Sequence, residues 1–320
     1  MRIDYFTRLL ATALLSLSTC LLFSQTIFWN DVSESSFAHQ DAVRHIQPDQ
    51  YRTLSLDFQA IKNALSPAPL RFTEAASQVQ PTLTLPMPDG SFQDFQVVEA
   101  PVMEPVLAAK YPEMRTYAGW SRADATAYLR CGVTQKGFHA VIYSANHSPV
   151  FIDAYAEGDT EHYLSYFKKD YPNPHANEFT CQVEHLADAS NPKSEISNSK
   201  SLVGDCKLRT YALALACTGE YAAFHGGTKP LVMAEFVESM VRLNGIYERE
   251  LAITLVLVAN TDLLIYLNAG SDPYTNNDGG TMLGQNQTTC DNIIGSANYD
   301  IGHVFSTGGG GVAYLNAVCN

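Results

Sequence analysis

The sequence predicts an α+β or α/β chain of two units: a mainly β unit, followed by a unit with a mixed sheet and two helices. Short apolar runs separated by turn residues fill residues 26–200, which is typical of antiparallel strands. From residue 205 onward, apolar runs alternate with two stretches of helical spacing, which favours a sheet with crossover helices. A polar stretch rich in Ser and Asn, near residues 187–201, predicts an exposed linker between the units.

The first 25 residues have the features of a secretory signal peptide. Arg2 and Arg8 form a basic region, and the apolar stretch at residues 9–23 is shorter than the roughly 20 residues of a membrane span. We expect cleavage after Gln25 and a mature chain that is secreted and soluble, with no transmembrane segment. A lipoprotein is the alternative, with lipid attached at Cys20, although Thr19 and the apolar residues after Cys20 argue against it.

The acidic charge of the chain is spread over its length. The net charge is -13, of which residues 205–320 carry -6 (11 acidic, 5 basic) and the remaining residues -7 (22 acidic, 15 basic). Since no basic face is available to neutralise phosphates, we expect no nucleic-acid partner.

In the first unit, apolar residues at partly helical spacing predict a helix over residues 49–65, which Pro67 and Pro69 end. Strands at residues 83–85 and 92–98, joined by the Pro-Asp-Gly turn at residues 88–90, predict a hairpin. Further strands are predicted at residues 137–143, 150–155 and 162–167.

The second unit begins near Asp205 with a strand at residues 208–216. Thr228 as N-cap and Pro230 in the first turn predict the start of a long amphipathic helix over residues 229–249. The elements predicted after it are a buried strand at 251–259, a polar loop at 268–280, a helix at 283–296, and strands at 300–305 and 312–315.

Six cysteines remain after Cys20: Cys131, Cys181, Cys206, Cys217, Cys290 and Cys319. An even number in an exported chain permits disulfides, and the sequence does not choose among the 15 pairings. Cys181 is expected to pair with Cys206 or another cysteine; the alternative is a free thiolate, which is a good zinc ligand.

Several long motifs are similar to one protease family. They lie at residues 209–211, 218–228, 244–249, 272–277 and 298–320. They resemble the reprolysin-like (adamalysin-type) branch of the metzincin zinc proteases, of the kind secreted by bacteria. The resemblance implies that residues 26–200 are a propeptide with an inhibitory or folding-assistant role. It implies that residues 205–320 are the N-terminal part of the metallopeptidase domain, and that Cys319 forms a bridge to the segment after the zinc helix.

The zinc-binding helix of this family carries H-E-x-x-H-x-x-G-x-x-H, which this sequence lacks. Two zinc-binding histidines on one helix stand four residues apart, and none of the nine histidines here has that spacing. We therefore expect no catalytic and no metal-binding residue in the chain, with zinc bound only in the complete protein. His225 and His303 are expected to have structural roles, His303 in a buried strand.

The resemblance also implies that the strand after Gly308–Gly311 binds the substrate backbone antiparallel, by strand addition. The candidate substrate-binding residues are Val312, Ala313 and Tyr314, and a plain sheet edge is the alternative. Four residues form an oxygen-rich loop that could hold calcium or simply form turns: Asp272, Asn276, Asn277 and Asp278.

Two functions follow from these observations. The first is a secreted zinc-dependent endopeptidase, which hydrolyses peptide bonds with zinc-activated water and acts on peptide or protein substrates. The chain as given is expected to be inactive, because the zinc-binding motif is missing. The alternative is a non-catalytic secreted remnant that binds peptides or proteins.

Overall fold

A computed structural model of the chain describes residues 28–37, 43–172, 181–184 and 207–314. The predicted signal peptide at residues 1–25 and the predicted linker at 187–201 lie outside these ranges. Within them, no helix combines the length and apolar character needed to cross a bilayer.

The first unit is an antiparallel sheet of nine strands in the order β1-β2-β9-β8-β7-β6-β5-β4-β3. Its strands are β1 (Trp29–Asp31), β2 (Arg52–Leu56), β3 (Thr82–Pro86), β4 (Phe92–Glu99), β5 (Arg115–Ser121), β6 (Tyr128–Thr134), β7 (Gly137–Tyr143), β8 (Val150–Ala154) and β9 (His162–Phe167). Its helices are α1 (Phe58–Leu65), α2 (Glu74–Gln78) and α3 (Pro105–Ala108).

The sheet curls so that its two ends approach each other. Ser165 of β9 donates a hydrogen bond to the carbonyl of Pro86, at the end of β3, over 2.8 Å. Strands from both ends and the middle share one core, in which Trp29 lies edge-on to Phe138 and Tyr163. The β-rich character predicted for this unit is therefore confirmed.

The predicted helix over residues 49–65 is wrong in its first half. Residues Arg52–Leu56 form β2, since Leu54 and Leu56 alternate with polar residues and are both buried, which is the period of a strand. The helix begins only after Asp57, whose side chain accepts a hydrogen bond from Ala60 N over 2.9 Å. The predicted hairpin and the three later strands are confirmed as β3–β4, β7, β8 and β9.

The second unit contains a three-stranded parallel sheet in the order β12-β11-β13. Its strands are β11 (Arg209–Cys217), β12 (Ile253–Leu257) and β13 (Ile301–Phe305), and its helices are α4 (Gly219–Phe224), α5 (Lys229–Glu250) and α6 (Gly279–Ile293). The predicted order of strands and of the two longer helices is confirmed, whereas the short helix α4 was not predicted. The expected mixed sheet is wrong for these strands, because a helix lies in each connection and returns the chain to the same end of the sheet.

Two more strands, β10 (Cys181–Glu184) and β14 (Gly311–Tyr314), form a separate parallel pair. Short 3-10 helices at Glu34–Ser36, Lys168–Asp170, Thr261–Leu264 and Ser296–Asn298 complete the described elements.

Helix α5 lies between the two units. Thr228 caps it as predicted, and its apolar stripe, with Met233, Phe236 and Met240, packs on the β11–β12 sheet. Its opposite side lies on β6 and β7 of the first unit. Because both faces of β6 and β7 are covered, every residue of those strands is buried.

Three of the six cysteines after Cys20 are free thiols in the core: Cys131, Cys217 and Cys290. Burial raises the pKa of each thiol to about 12, so these groups stay protonated and unreactive. These three cysteines therefore form no disulfides. Cys20, Cys206 and Cys319 lie outside the described residues, as does the side chain of Cys181, so the expected pairings of Cys181 and Cys319 stay predictions.

Candidate functional site

The candidate substrate-binding residues Val312, Ala313 and Tyr314 lie on a strand, as predicted. One edge of the strand pairs with β10 in the register Val183↔Ala313, and its other edge pairs with no strand among the described residues. The pairing is parallel, whereas the resemblance implies an antiparallel substrate. The strand therefore already holds one extended segment of the chain by backbone pairing, which is the chemistry of strand addition.

A polar loop fixes the position of this strand. Asn276 accepts hydrogen bonds from Thr218 Oγ1 over 3.1 Å and from Thr307 N over 3.2 Å, and it donates one to Thr307 Oγ1 over 2.8 Å. Thr218 follows β11 and Thr307 follows β13, so this one side chain joins the carboxyl ends of two neighbouring strands. The glycine-rich turn that leads into β14 starts directly after Thr307.

The same loop closes on the start of α4. Asp272 Oδ2 accepts a hydrogen bond from Gly219 N over 2.7 Å. A Cβ atom at Gly219 would lie 2.1 Å from Ala269 N, so the backbones approach too closely for any other residue. The loop is therefore a packed part of the site.

These contacts give calcium no support at the oxygen-rich loop. Besides Gly219 N, Asp272 accepts from Tyr274 N over 2.9 Å, and Asp278 caps α6 by accepting from Thr281 N over 3.0 Å. Asn277 has a φ of 72° and holds a turn. The carboxylate oxygens of Asp272 and Asp278 therefore accept hydrogen bonds from backbone N–H groups, as expected if the loop simply forms turns.

The two histidines of the second unit lie apart. His225 is half-buried, with Nδ1 at 3.4 Å from Glu235 Oε1, and its expected structural role stays a prediction. His303 is exposed on β13 and packs edge-on against Phe305, so the expected core position is wrong. β13 is the outer strand of its sheet, and this leaves part of its surface uncovered.

The described residues do not fit a zinc site. No group of three or more His, Cys, Asp or Glu side chains among them is arranged to hold a metal ion. We therefore assign no step of peptide hydrolysis to these side chains.

A cavity of about 200 Å³ lies between β7–β8 of the first unit and helices α4–α5 of the second. Sequence reasoning missed it, because its charged and imidazole groups come from distant parts of the chain. They are His45, Lys136, His139, Asp153, Glu157, His225, Glu235 and Glu238.

Three of these groups form ion pairs across the interface: Asp153 binds Arg242 of α5 over 2.6 Å, and Lys136 binds Glu235. Arg242 also binds Glu238 of its own helix over 2.6 Å. Burial raises the pKa of Asp153 to about 6, even though the Arg242 guanidinium favours the ionised form. Burial also raises the pKa of Glu235, but His225 and Lys136 outweigh it and lower this pKa to about 2. Ion pairs between the two units therefore line this cavity.

Comparison with known proteins bears on the second unit. Residues 207–320 match the model of the metallo-peptidase family M12B, reprolysin-like. We call residues 207–320 the reprolysin-like segment. The match supports a reprolysin-like metallopeptidase domain there, as the sequence motifs indicate, and a family of peptidases whose substrates are peptides or proteins. It starts at Lys207, so the resemblance of the first unit to a propeptide stays a prediction.

Other comparisons add little. No curated protein is significantly similar to the chain. A solved structure titled "Structure of a chaperone-substrate complex" is similar over 42% of this chain and 97% of its own, with 12% identity and a TM-score of 0.24. At that TM-score the likeness carries no argument about fold or function.

Proposed function

We propose that the chain belongs to a secreted zinc-dependent endopeptidase and that its reprolysin-like segment binds the peptide substrate along β14. The family match at residues 207–320 carries this proposal. The described residues do not fit a zinc site, so their part in the reaction is to hold and orient the peptide. As given, the chain binds peptide without cleaving it.

The pairing of β10 with β14 supports a competition between the first part of the chain and substrate. Backbone pairing needs an extended segment and little sequence identity, so an internal strand and a substrate can use the same N–H and C=O groups. β10 lies N-terminal to the reprolysin-like segment, in the part of the chain that the resemblance makes a propeptide. By occupying β14, it would inhibit substrate binding as a propeptide does.

The test is binding of fluorescein-labelled casein, an extended protein chain, measured by fluorescence anisotropy. Val183→Pro removes the N–H opposite Ala313 and weakens β10, so we expect about tenfold tighter casein binding. Val183→Thr keeps the N–H and a strand-favouring side chain, so this control should behave as the wild type.

A second substitution places the binding on β14 itself. Ala313→Pro, made in the Val183→Pro background, should abolish the gain, whereas Ala313→Val should preserve it because the N–H remains. Equal casein binding by the Pro and Val variants would contradict strand addition at β14. Hydrolysis of casein by the wild-type chain, stopped by a chelator, would contradict the assignment of binding alone.

The pairing of β14 with an extended segment is equally compatible with the non-catalytic alternative, a secreted peptide-binding remnant. Both functions predict the casein binding above. The coding sequence after Asn320 separates them, because an in-frame H-E-x-x-H-x-x-G-x-x-H favours the endopeptidase and an immediate stop codon favours the remnant.

A further inference from the structure

We propose that the first unit completes the core of the second, so that the two pieces stay bound to each other when the chain between residues 184 and 207 is cut. The contact centres on residues 102–114 of the first unit, which we call the docking segment. This inference does not depend on peptidase activity or on substrate binding.

The docking segment lies in the hydrophobic core of the second unit. Five of its side chains are at most 8% exposed: Val102, Met103, Leu107, Tyr111 and Met114. They share one apolar cluster with Leu213 and Leu215 of β11, Leu257 of β12, and Met233, Phe236 and Met240 of α5. Removing the first unit would expose this cluster to water, and apolar surface of that extent drives stable association.

The start of the docking segment also covers the edge of the second sheet. Leu257 N donates to Val102 O over 2.8 Å, and Glu104 N donates to Leu257 O over 2.9 Å. The Glu104 carboxylate then accepts from Ala259 N over 2.9 Å. The segment therefore makes a parallel bridge to β12, with Met103 opposite Leu257, and it satisfies backbone groups that an open edge would leave unpaired.

Polar contacts surround this apolar centre. Lys110 binds Asp262 over 2.7 Å at one end. Near the C-terminus of α5, Glu248 binds Arg71 over 3.0 Å and accepts a hydrogen bond from Tyr128. An apolar centre with a polar border is the usual anatomy of a specific protein interface.

Helix α5 is built to be covered on both sides. Three charged residues of its polar stripe, Glu235, Arg242 and Arg249, each contact a side chain of the first unit. Glu248 is only 4% exposed at its side chain. An isolated second unit would have to solvate this helix face, the β12 edge and the apolar cluster together.

The test uses the full chain with a protease recognition sequence inserted at residues 187–201, which is cut after folding. Size-exclusion chromatography with mass detection should show both pieces in one complex under native conditions and separate pieces in denaturant. Separate elution under native conditions, with the second piece soluble or precipitated, would overturn the proposal.

Two neighbouring residues on α3 provide a matched pair for the cut chain. Leu107 is fully buried in the shared core, whereas Val106 is 60% exposed. Leu107→Ala should speed dissociation of the cut complex by at least about 30-fold, and Val106→Ala by less than about threefold. Equal rates for the two variants would show that the docking segment does not hold the pieces together. Because the native complex of the wild type is measured separately, failure of Leu107→Ala to fold leaves that test intact.

Discussion

Gly245 of α5 lies directly against the ring of Tyr143 on β7: a Cβ atom at Gly245 would come within 2.7 Å of Tyr143 Cε2. The Tyr143 hydroxyl also donates a hydrogen bond to the carbonyl of Arg242, one turn earlier, over 3.3 Å. The absence of a side chain thus sets how closely the helix of the second unit approaches the sheet of the first.

Gly245→Ala should therefore destabilise the chain. Overpacking costs about 1–3 kcal/mol, which exceeds the gain of about 1 kcal/mol from the higher helix propensity of Ala. The measurement is the free energy of unfolding from urea titration. Gly284 in α6 is the control, because nothing lies within 4 Å of its added Cβ, so Gly284→Ala should stabilise by up to about 1 kcal/mol. Stabilisation by both substitutions would contradict the close approach.

Asn244, the residue before Gly245, serves the strand on the other side of the helix. It is fully buried; its Nδ2 donates to Leu255 O and its Oδ1 accepts from Leu255 N, each over 2.8 Å. Leu257, two residues on, bonds the docking segment on the same edge of β12. The Asn244 side chain and the docking segment thus satisfy neighbouring backbone groups along the same edge of β12.

Asn244→Ala should leave two buried backbone groups of Leu255 without partners, at about 1–3 kcal/mol each. Urea unfolding should show a loss of about 2–6 kcal/mol for the two groups together, with faster amide exchange in β12. Asn63→Ala, in the exposed part of α1, is the control and should stay within about 0.5 kcal/mol of the wild type. A loss no larger than that of the control would mean that water replaces the Asn244 amide.

Local signals in the sequence were enough for α5, because the Thr228 cap, Pro230 and the apolar stripe all lie within the helix. Local signals did not predict which parts of the chain pack against this helix. A charged face normally indicates solvent, yet Glu235, Arg242 and Glu248 bind partners about 90 to 180 residues away along the chain.

The same limit applies to the candidate site. The strand character of residues 312–314 follows from their apolar and aromatic side chains, but no local pattern indicates its partner. The partner, β10, has only four residues and pairs with β14 across about 130 residues of sequence. The wrong helix prediction at residues 52–56 has a local cause. Leu54 and Leu56 fit the period of a strand as well as that of a helix, so their spacing alone does not distinguish the two.

His139 should make the stability of the chain depend on pH. It is 4% exposed on β7, and burial lowers the pKa of its imidazole. Arg242 lowers this pKa further, while Glu238 and Glu235 oppose the shift. Since the unfolded pKa is about 6.5, the unfolded chain binds the proton first as the pH falls below that value. The contribution of His139 to stability is therefore complete above the unfolded pKa and is lost as the pH falls towards the folded pKa.

The measurement compares His139→Gln with the wild type by urea unfolding at pH 7.5 and pH 5.5. The wild type should lose more stability than the variant over this range, by at most about 1.4 kcal/mol per pH unit. Asp153 acts in the opposite sense, because its pKa is raised to about 6 and its protonation favours the folded chain, but it is present in both proteins. Parallel pH profiles would show that His139 is charged in the folded chain or solvated.

Asn276 should control the order of the segment that leads into β14. Asn276→Ala removes the three hydrogen bonds that join Thr218 to Thr307, so we expect a loss of about 1–3 kcal/mol. Amide exchange should accelerate at residues 306–314, because the carboxyl end of β13 is no longer tied to β11. The strands of the first unit should be unaffected. Asn260→Ala is the control, since Asn260 is exposed and its side chain caps no helix, and it should leave exchange at residues 306–314 unchanged. If Asn276→Ala also left that exchange unchanged, the backbone bond from Thr218 N to Phe305 O, over 2.9 Å, would be sufficient to hold the site.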